Sequence, residues 1–234
     1  DLASRTIVKT CDLGGQPDSV ALSPDKSILA VAIENQRDEG LRDGAMPQLP
    51  PGNLIIFSLS DGELQCGARK VVDLTGLAQV APSDPEPEFV DINAANEIVV
   101  TLQENNHLVV IDGRAGAVVN HFSAGAVDLE NIDVETDGAL RFDGSQRDRR
   151  REPDAVKWLD ENRFVVANEG DYEGGTRGFT IFSKHGPILW DSGPSLEYQI
   201  AAIGHYPEKR SGKQGIEAEV VEVGSFGAQR YIFV

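Results

Sequence analysis

No stretch of the 234 residues is apolar for long enough to cross a bilayer as a helix, which excludes a helical membrane span. No leader segment is visible, and the first residue is Asp1 rather than methionine, so a processed or excised polypeptide is expected. Positive charge is scarce: 21 Lys and Arg stand against 38 Asp and Glu, a net charge of -17. That balance argues against nucleic acid as a partner and is compatible with binding cations. Cysteine occurs twice, at Cys11 and Cys66. One disulfide in an oxidising compartment and two buried free thiols explain this count equally well. The chain also lacks a nucleophile-elbow serine motif, a His-Glu-x-x-His motif, a phosphate-binding glycine loop and a cysteine ligand cluster. Its four histidines have no ligand spacing and read as structural or solvated; His107, which follows Asn105 and Asn106 in a turn, is the one placed to reach a ligand.

What is present is a set of short Val/Ile/Leu/Phe runs separated by turn signals, with 24 glycines, 12 prolines and 40% hydrophobic residues. This pattern predicts many short strands around a buried core.

One segment repeats. "EPEFVDINAANEIVVTLQEN" from Glu86 has relatives in "QPDSVALSPDKSILAVAIEN" from Gln16, "EPDAVKWLDENRFVVANEGD" from Glu152 and the incomplete "EAEVVEVGSFGAQRYIFV" from Glu217. With Pro17, Pro87, Pro153 and Ala218 as equivalent anchors, the spacings are 70, 66 and 65 residues. An acidic residue follows each anchor, and apolar residues recur three and five positions on, which is a strand period. Each full unit continues through a polar turn, a second strand, a third, and a fourth after a glycine-containing turn. Four antiparallel strands in a repeat of this length predict the blade of a β-propeller.

The expected organisation is a last strand of a preceding blade at 1–15, then blades at 16–76, 86–123 and 152–193. Long loops are expected at 124–151 and 194–214, and the first half of a further blade at 215–234. This is about half of a ring of roughly seven blades. The remainder is expected on a second chain or on flanking sequence, because raw blade faces do not stay in water.

In such a blade the start of the first strand and the end of the second meet at one rim. Asp18, Glu86, Glu88, Glu152, Asp154, Glu217 and Glu219 occupy first-strand starts; Glu34, Glu104 and Glu169 occupy second-strand ends. All ten are expected at the decorated face, where the long loops gather. Crowded carboxylates need raised pKa values, basic partners or a hard cation with oxygen ligands, for which calcium is the best match. Hydrogen bonding of each carboxylate to neighbouring backbone amides is the competing explanation.

Two local stretches stand out. "DVETDG", Asp133 to Gly138, has the opening of a calcium loop but Gly144 where the twelfth ligand belongs, and a β-turn at Thr136-Asp137-Gly138 fits it better. "RFDGSQRDRRREPD" sets Arg147, Arg149, Arg150 and Arg151 beside Glu152, suited either to an anionic ester or to pairing with the acidic rim. Trp158 and Trp190 fall in strand patterns and read as packing.

"QPDSVALSPD", "EPEFVDI" leading to "VTLQENNHLVVID", "EPDAV" leading to "VANEGDYEGG", and "DSGPSLEYQIAA" resemble the secreted phytase-like propeller proteins of the choice-of-anchor I group. Bacterial members of that group are labelled alkaline phosphatase or esterase-like phytase, and animal relatives are mesenchyme-specific cell-surface glycoproteins. The resemblance covers nearly the whole chain. Two departures are "GSQRDRRREPD", where relatives carry a longer acidic insertion, and Ala218, where proline is usual. It implies a secreted, periplasmic or cell-surface protein. The leading expectation is a calcium-dependent binding module for an anionic small molecule or surface ligand. The alternative is a phosphoester hydrolase in which Glu88, Glu104, Asp154 and Glu169 hold cations while Arg147 and Arg149 orient phosphate. A purely structural propeller is the third reading.

Overall fold

In the computed structural model, which describes residues 3–234, the chain is all-β with several antiparallel sheets. The first sheet contains β1 (Gln16–Leu22), β2 (Ile28–Glu34), β3 (Asn53–Ser60), the two-residue β4 (Glu63–Leu64) and β5 (Lys70–Asp73). The second is a meander of β6 (Pro87–Ile92), β7 (Glu97–Leu102), β8 (His107–Asp112) and β9 (Ala117–Ser123). A hairpin of β10 (Ala126–Ile132) and β11 (Gly144–Arg150) follows. The third sheet is a meander of β12 (Pro153–Trp158), β13 (Arg163–Asn168), β14 (Gly178–Ser183) and β15 (Ile188–Asp191). Helix α1 (Ser195–Ala202) and the hairpin of β16 (Glu222–Phe226) and β17 (Gln229–Phe233) complete the chain.

The near-continuous apolar runs are explained by burial of the sheets on both faces. In β2 and β3, Ala30, Ala32, Leu54 and Ile56 point one way and pack with Val90, Ile92, Ile98 and Val100 of the second sheet. The other face of the second sheet, through Val99, Leu108 and Val110, meets Val156, Trp158, Phe164 and Val166 of the third. The third sheet in turn covers Ala218, Val221 and Val223 at the start of the last hairpin. The first strands lie side by side in a row, β1 against β6, β6 against β12 and β12 against β16.

The repeat therefore has a packing meaning. Val90 and Ile92 are buried, as are Val156 and Trp158, but the equivalent Val20 and Leu22 are 62% and 48% exposed. They stand on the face of the first sheet that no other described sheet covers.

Three segments depart from the sequence reading. The strand expected within 1–15 does not form among its described residues: residues 6–13 join no ladder. Instead Cys11 and Leu13 lie against Val31, Ile33, Ile55 and Phe57 of the first sheet, and Cys11 is bonded to Cys66. Residues 1–2 of that expected strand fall outside the described residues. The loop expected at 124–151 is largely the β10–β11 hairpin, and 194–214 contains α1.

Cys11 and Cys66 are 55 residues apart in sequence, so their bridge removes about 4 kcal/mol of loop-closure entropy from the unfolded chain. Cys11→Ser is expected to lower stability by roughly 2–4 kcal/mol, measured as a urea midpoint shift. A change below ~1 kcal/mol would show the covalent tie to be dispensable.

Candidate functional site: an acidic cavity at the strand ends

The site begins with a repeated irregularity. Pro17 pairs with Ile33 and Val20 with Val31; Pro87 pairs with Leu102 and Val90 with Val100; Pro153 pairs with Asn168 and Val156 with Val166. Three steps on the first strand match two on the second, so the first strand of each full sheet carries a β-bulge at the same place. The bulged pairs are Asp18-Ser19, Glu88-Phe89 and Asp154-Ala155. A bulge re-aims a side chain, and here it frees the chain to tie one sheet to the next. Ser19 Oγ donates to the Glu88 carbonyl at 2.8 Å, and the Ala155 amide donates to the Glu219 carbonyl at 3.2 Å.

The acidic residues that follow the anchors consequently face one another along the row. Carboxylate oxygens of Asp18 and Glu88 lie within 4.8 Å of each other, and Glu88, driven first by burial and then by Asp18, Glu34 and Glu104, is pushed up to about 10. Asp154 is raised to about 8 by burial, with Glu169, Asp18 and Glu219 adding to it. From the second-strand ends, Glu34 is raised to about 7 and Glu104 to about 8, burial being the main cause in both. Glu169 is raised by burial, against the Gln103 side-chain amide that donates to it.

Four of these groups, Glu34, Glu88, Glu104 and Glu169, line a cavity of about 290 Å³ together with Asp171, Arg37, Gln36, Glu39 and Gln103, while Asp18 and Asp154 are not among its lining residues. Single carboxylate oxygens of Glu34 and Glu88, which line the cavity, and of Asp18, which does not, lie within 4.8 Å of one another. That span admits a common ion at calcium–oxygen bond lengths of about 2.4 Å. Glu104, 4% exposed, leaves Oε2 buried without a hydrogen-bond partner. An unpartnered buried carboxylate oxygen on a cavity wall is a vacant acceptor that a cation satisfies. The donor set is all oxygen, which fits a hard cation and not a soft one.

The other expected site residues are placed differently. Glu86 is fully buried behind the basin, with neither carboxylate oxygen given a donor by the backbone, and is raised to about 10 by burial and by Glu104, Asp84 and Glu34. Glu152 accepts the amides of Tyr172 at 2.9 Å and Glu173 at 3.0 Å, so at this position the backbone-tie explanation holds. Glu217 pairs with Arg210, and Glu219 is exposed beside Asp154. Arg147 pairs with Asp128 and Glu130 on the exposed hairpin, and Arg149 donates to the Gly174 carbonyl. Neither arginine lines the acidic cavity. Asp133 accepts Ser211 Oγ at 2.9 Å, and the chain bends at Gly138, which lies in the left-handed region and donates its amide to Glu208.

Residues without a periodic signal hold the rim together. Asn105 accepts the Glu86 amide and donates to the Asp84 carbonyl, while Asn106 accepts the Glu152 amide and donates to the Gly125 carbonyl. The pair thus stitches the second sheet to the entry points of β6 and β12. Arg37, from the long 35–52 connection, is the basic group in the cavity wall.

The choice-of-anchor I domain model matches residues 2–174 and 172–234, which is nearly the whole chain. The chain belongs to the choice-of-anchor I domain family. Comparison with curated proteins yields no match. Membership suggests an extracellular, anchor-type module at the cell surface or secreted. No helix among the described residues of this choice-of-anchor I chain is long and apolar enough to cross a membrane.

Proposed function

We propose that this choice-of-anchor I chain is a β-propeller binding module whose acidic cavity takes a divalent cation, calcium, through Asp18, Glu34 and Glu88, with Glu104 in the wall. The observation that carries the reading is the coincidence of three carboxylates at ion-sharing distance with the unpartnered Oε2 of Glu104. Wound as a propeller, the row β1–β6–β12–β16 lines a channel, and the chain supplies about half of a ring of roughly seven blades. The uncovered Val20 and Leu22 face then receives a further four-stranded sheet, from a second chain or flanking sequence, as its equivalents do within the chain. The ion would in turn present open coordination to an anionic surface ligand. The hydrolase reading assigns phosphate orientation to Arg147 and Arg149, and both are engaged elsewhere.

Calorimetric titration of chelator-treated protein with Ca²⁺ tests the reading. Saturable binding is expected, with thermal stabilisation reversed by EDTA, since a ligand that binds only the native state raises its stability. Asp18→Asn combined with Glu88→Gln should weaken that binding at least ~100-fold while preserving the fold, because two of the three ion ligands lose their charge. Undiminished binding in this double variant would place the ion elsewhere.

A further inference from the structure

Among the residues lining the acidic cavity are six carboxylates and one guanidinium, that of Arg37. The Arg37 side chain is only 9% exposed. Its Nη2 lies 2.7 Å from Asp171, its guanidinium carbon sits 5.2 Å over the Tyr172 ring, and Nη1 donates to the Gly44 carbonyl at 3.4 Å. These contacts join the connection after β2 to the connection after β13 across the cavity. Toward Glu104 the fit is poorer: Arg37 Nε stands 3.9 Å from Glu104 Oε1, too far for a hydrogen bond, and Nε is buried with no acceptor. Glu104 Oε2 is likewise buried and unpaired. Arginine and glutamate thus face each other with one donor and one acceptor left over on a wall shared with the ion-sharing carboxylates.

We infer that Arg37 is a built-in counter-cation that competes with the divalent ion for Glu104, so that it sets the affinity of the cavity and ties the 35–52 connection across it. The inference rests on the cation reading above. A guanidinium beside a divalent ion repels it in a partly desolvated site, and a small ion with hard oxygen preference satisfies Glu104 better than a guanidinium held beyond hydrogen-bonding range. When the ion enters, Arg37 keeps Asp171 and Tyr172 but loses the attraction of Glu104. Linkage makes the effect reciprocal: if the ion loosens Arg37, removing Arg37 tightens the ion.

The test compares wild type, Arg37→Gln and Arg37→Lys, using Ca²⁺ titration and hydrogen exchange of residues 35–52, with near-ultraviolet circular dichroism to verify folding. Arg37→Gln is expected to bind Ca²⁺ ~10-fold or more tightly than wild type, from removal of one nearby positive charge. Arg37→Lys, which keeps the charge, should stay near wild type. In chelator, residues 35–52 should exchange faster in Arg37→Gln than in wild type, and Ca²⁺ should speed their exchange in wild type only. Equal or weaker Ca²⁺ binding by Arg37→Gln overturns the competition. Absence of Ca²⁺ binding in both proteins removes the cation site and the competition with it. In that case, faster loop exchange in Arg37→Gln without ion would still establish the tether, and unchanged exchange would refute it.

Discussion

Arg177→Ala is expected to lower the unfolding free energy by about 3–5 kcal/mol, the cost of leaving one member of a buried ion pair without its partner. Arg177 and Glu197 are both fully buried, with 3.0 Å between Nη1 and Oε1. Nη1 also donates to the Asp133 carbonyl at 2.9 Å, and Nη2 reaches the Ser211 carbonyl and Gln146 Oε1. One side chain therefore fastens the β10–β11 hairpin, helix α1 and the 205–213 segment to the third sheet. Truncation strands Glu197 and orphans several carbonyls together. Burial already raises the Glu197 pKa, and Arg177 is the chief influence lowering it. Without Arg177 the folded-state value rises further, so Glu197 charges more readily in the unfolded chain than in the folded one. The penalty should consequently grow as pH rises above the ordinary carboxylate range and shrink in acid. Urea unfolding at pH 5 and pH 8 measures both effects, and a loss below ~1 kcal/mol at pH 8 would reduce the pair to a minor contact.

A comparable swing is expected from the cavity itself when the protein is stripped of divalent ions. Glu34 and Glu104, nearly inaccessible to water, sit at about 7 and about 8 in the folded protein against 4.5 when exposed, and Glu88 sits at about 10. Above pH 4.5 the unfolded chain has released these protons while the folded chain still holds them. The unfolded state binds fewer protons, so stability falls as pH rises. For Glu34 and Glu104 the fall ends near pH 7 and pH 8; for Glu88 it continues toward pH 10. Each unit of separation is about 1.4 kcal/mol per group, and mutual coupling makes the whole less than the sum, so a loss on the order of 5 kcal/mol is expected between pH 5 and pH 9. Calcium should restore most of it at pH 9 and little at pH 5, where protons already neutralise the ligands. Thermal melts in EDTA and in Ca²⁺ across that range decide the matter. A melting temperature in EDTA that is level or rising from pH 5 to pH 9 would contradict the crowding.

Much of this molecule was legible from its apolar runs. "ILAVAIE", "IVVTLQE" and "FVVANE" became β2, β7 and β13, since both sheet faces are buried and the hydrophobic signal is strong. The matching position of Asp18, Glu88 and Asp154 could be read from repeat spacing alone. Strand β11 could not: "GSQRDRR" contains no apolar side chain, its half-buried positions being Gly144, Gln146, Arg149 and Arg150, so no hydrophobic alternation marks it. Pairing of Glu152 with the 172–173 amides and of Glu217 with Arg210 depends on how connections fold back, which no period encodes. Arg37 was hidden for the same reason, inside an irregular connection whose path is set by tertiary contacts.

The three matched bulges have a consequence for how such chains can diverge. Because side chains alternate with a period of two, losing the extra residue at Asp18-Ser19, Glu88-Phe89 or Asp154-Ala155 would turn the carboxylate out of the row, or the aliphatic positions out of the core. Length changes should therefore be purged from these short segments and accumulate in stretches such as 35–52. Among relatives, the gap-free columns would trace the rim of the cavity before any residue identity is compared.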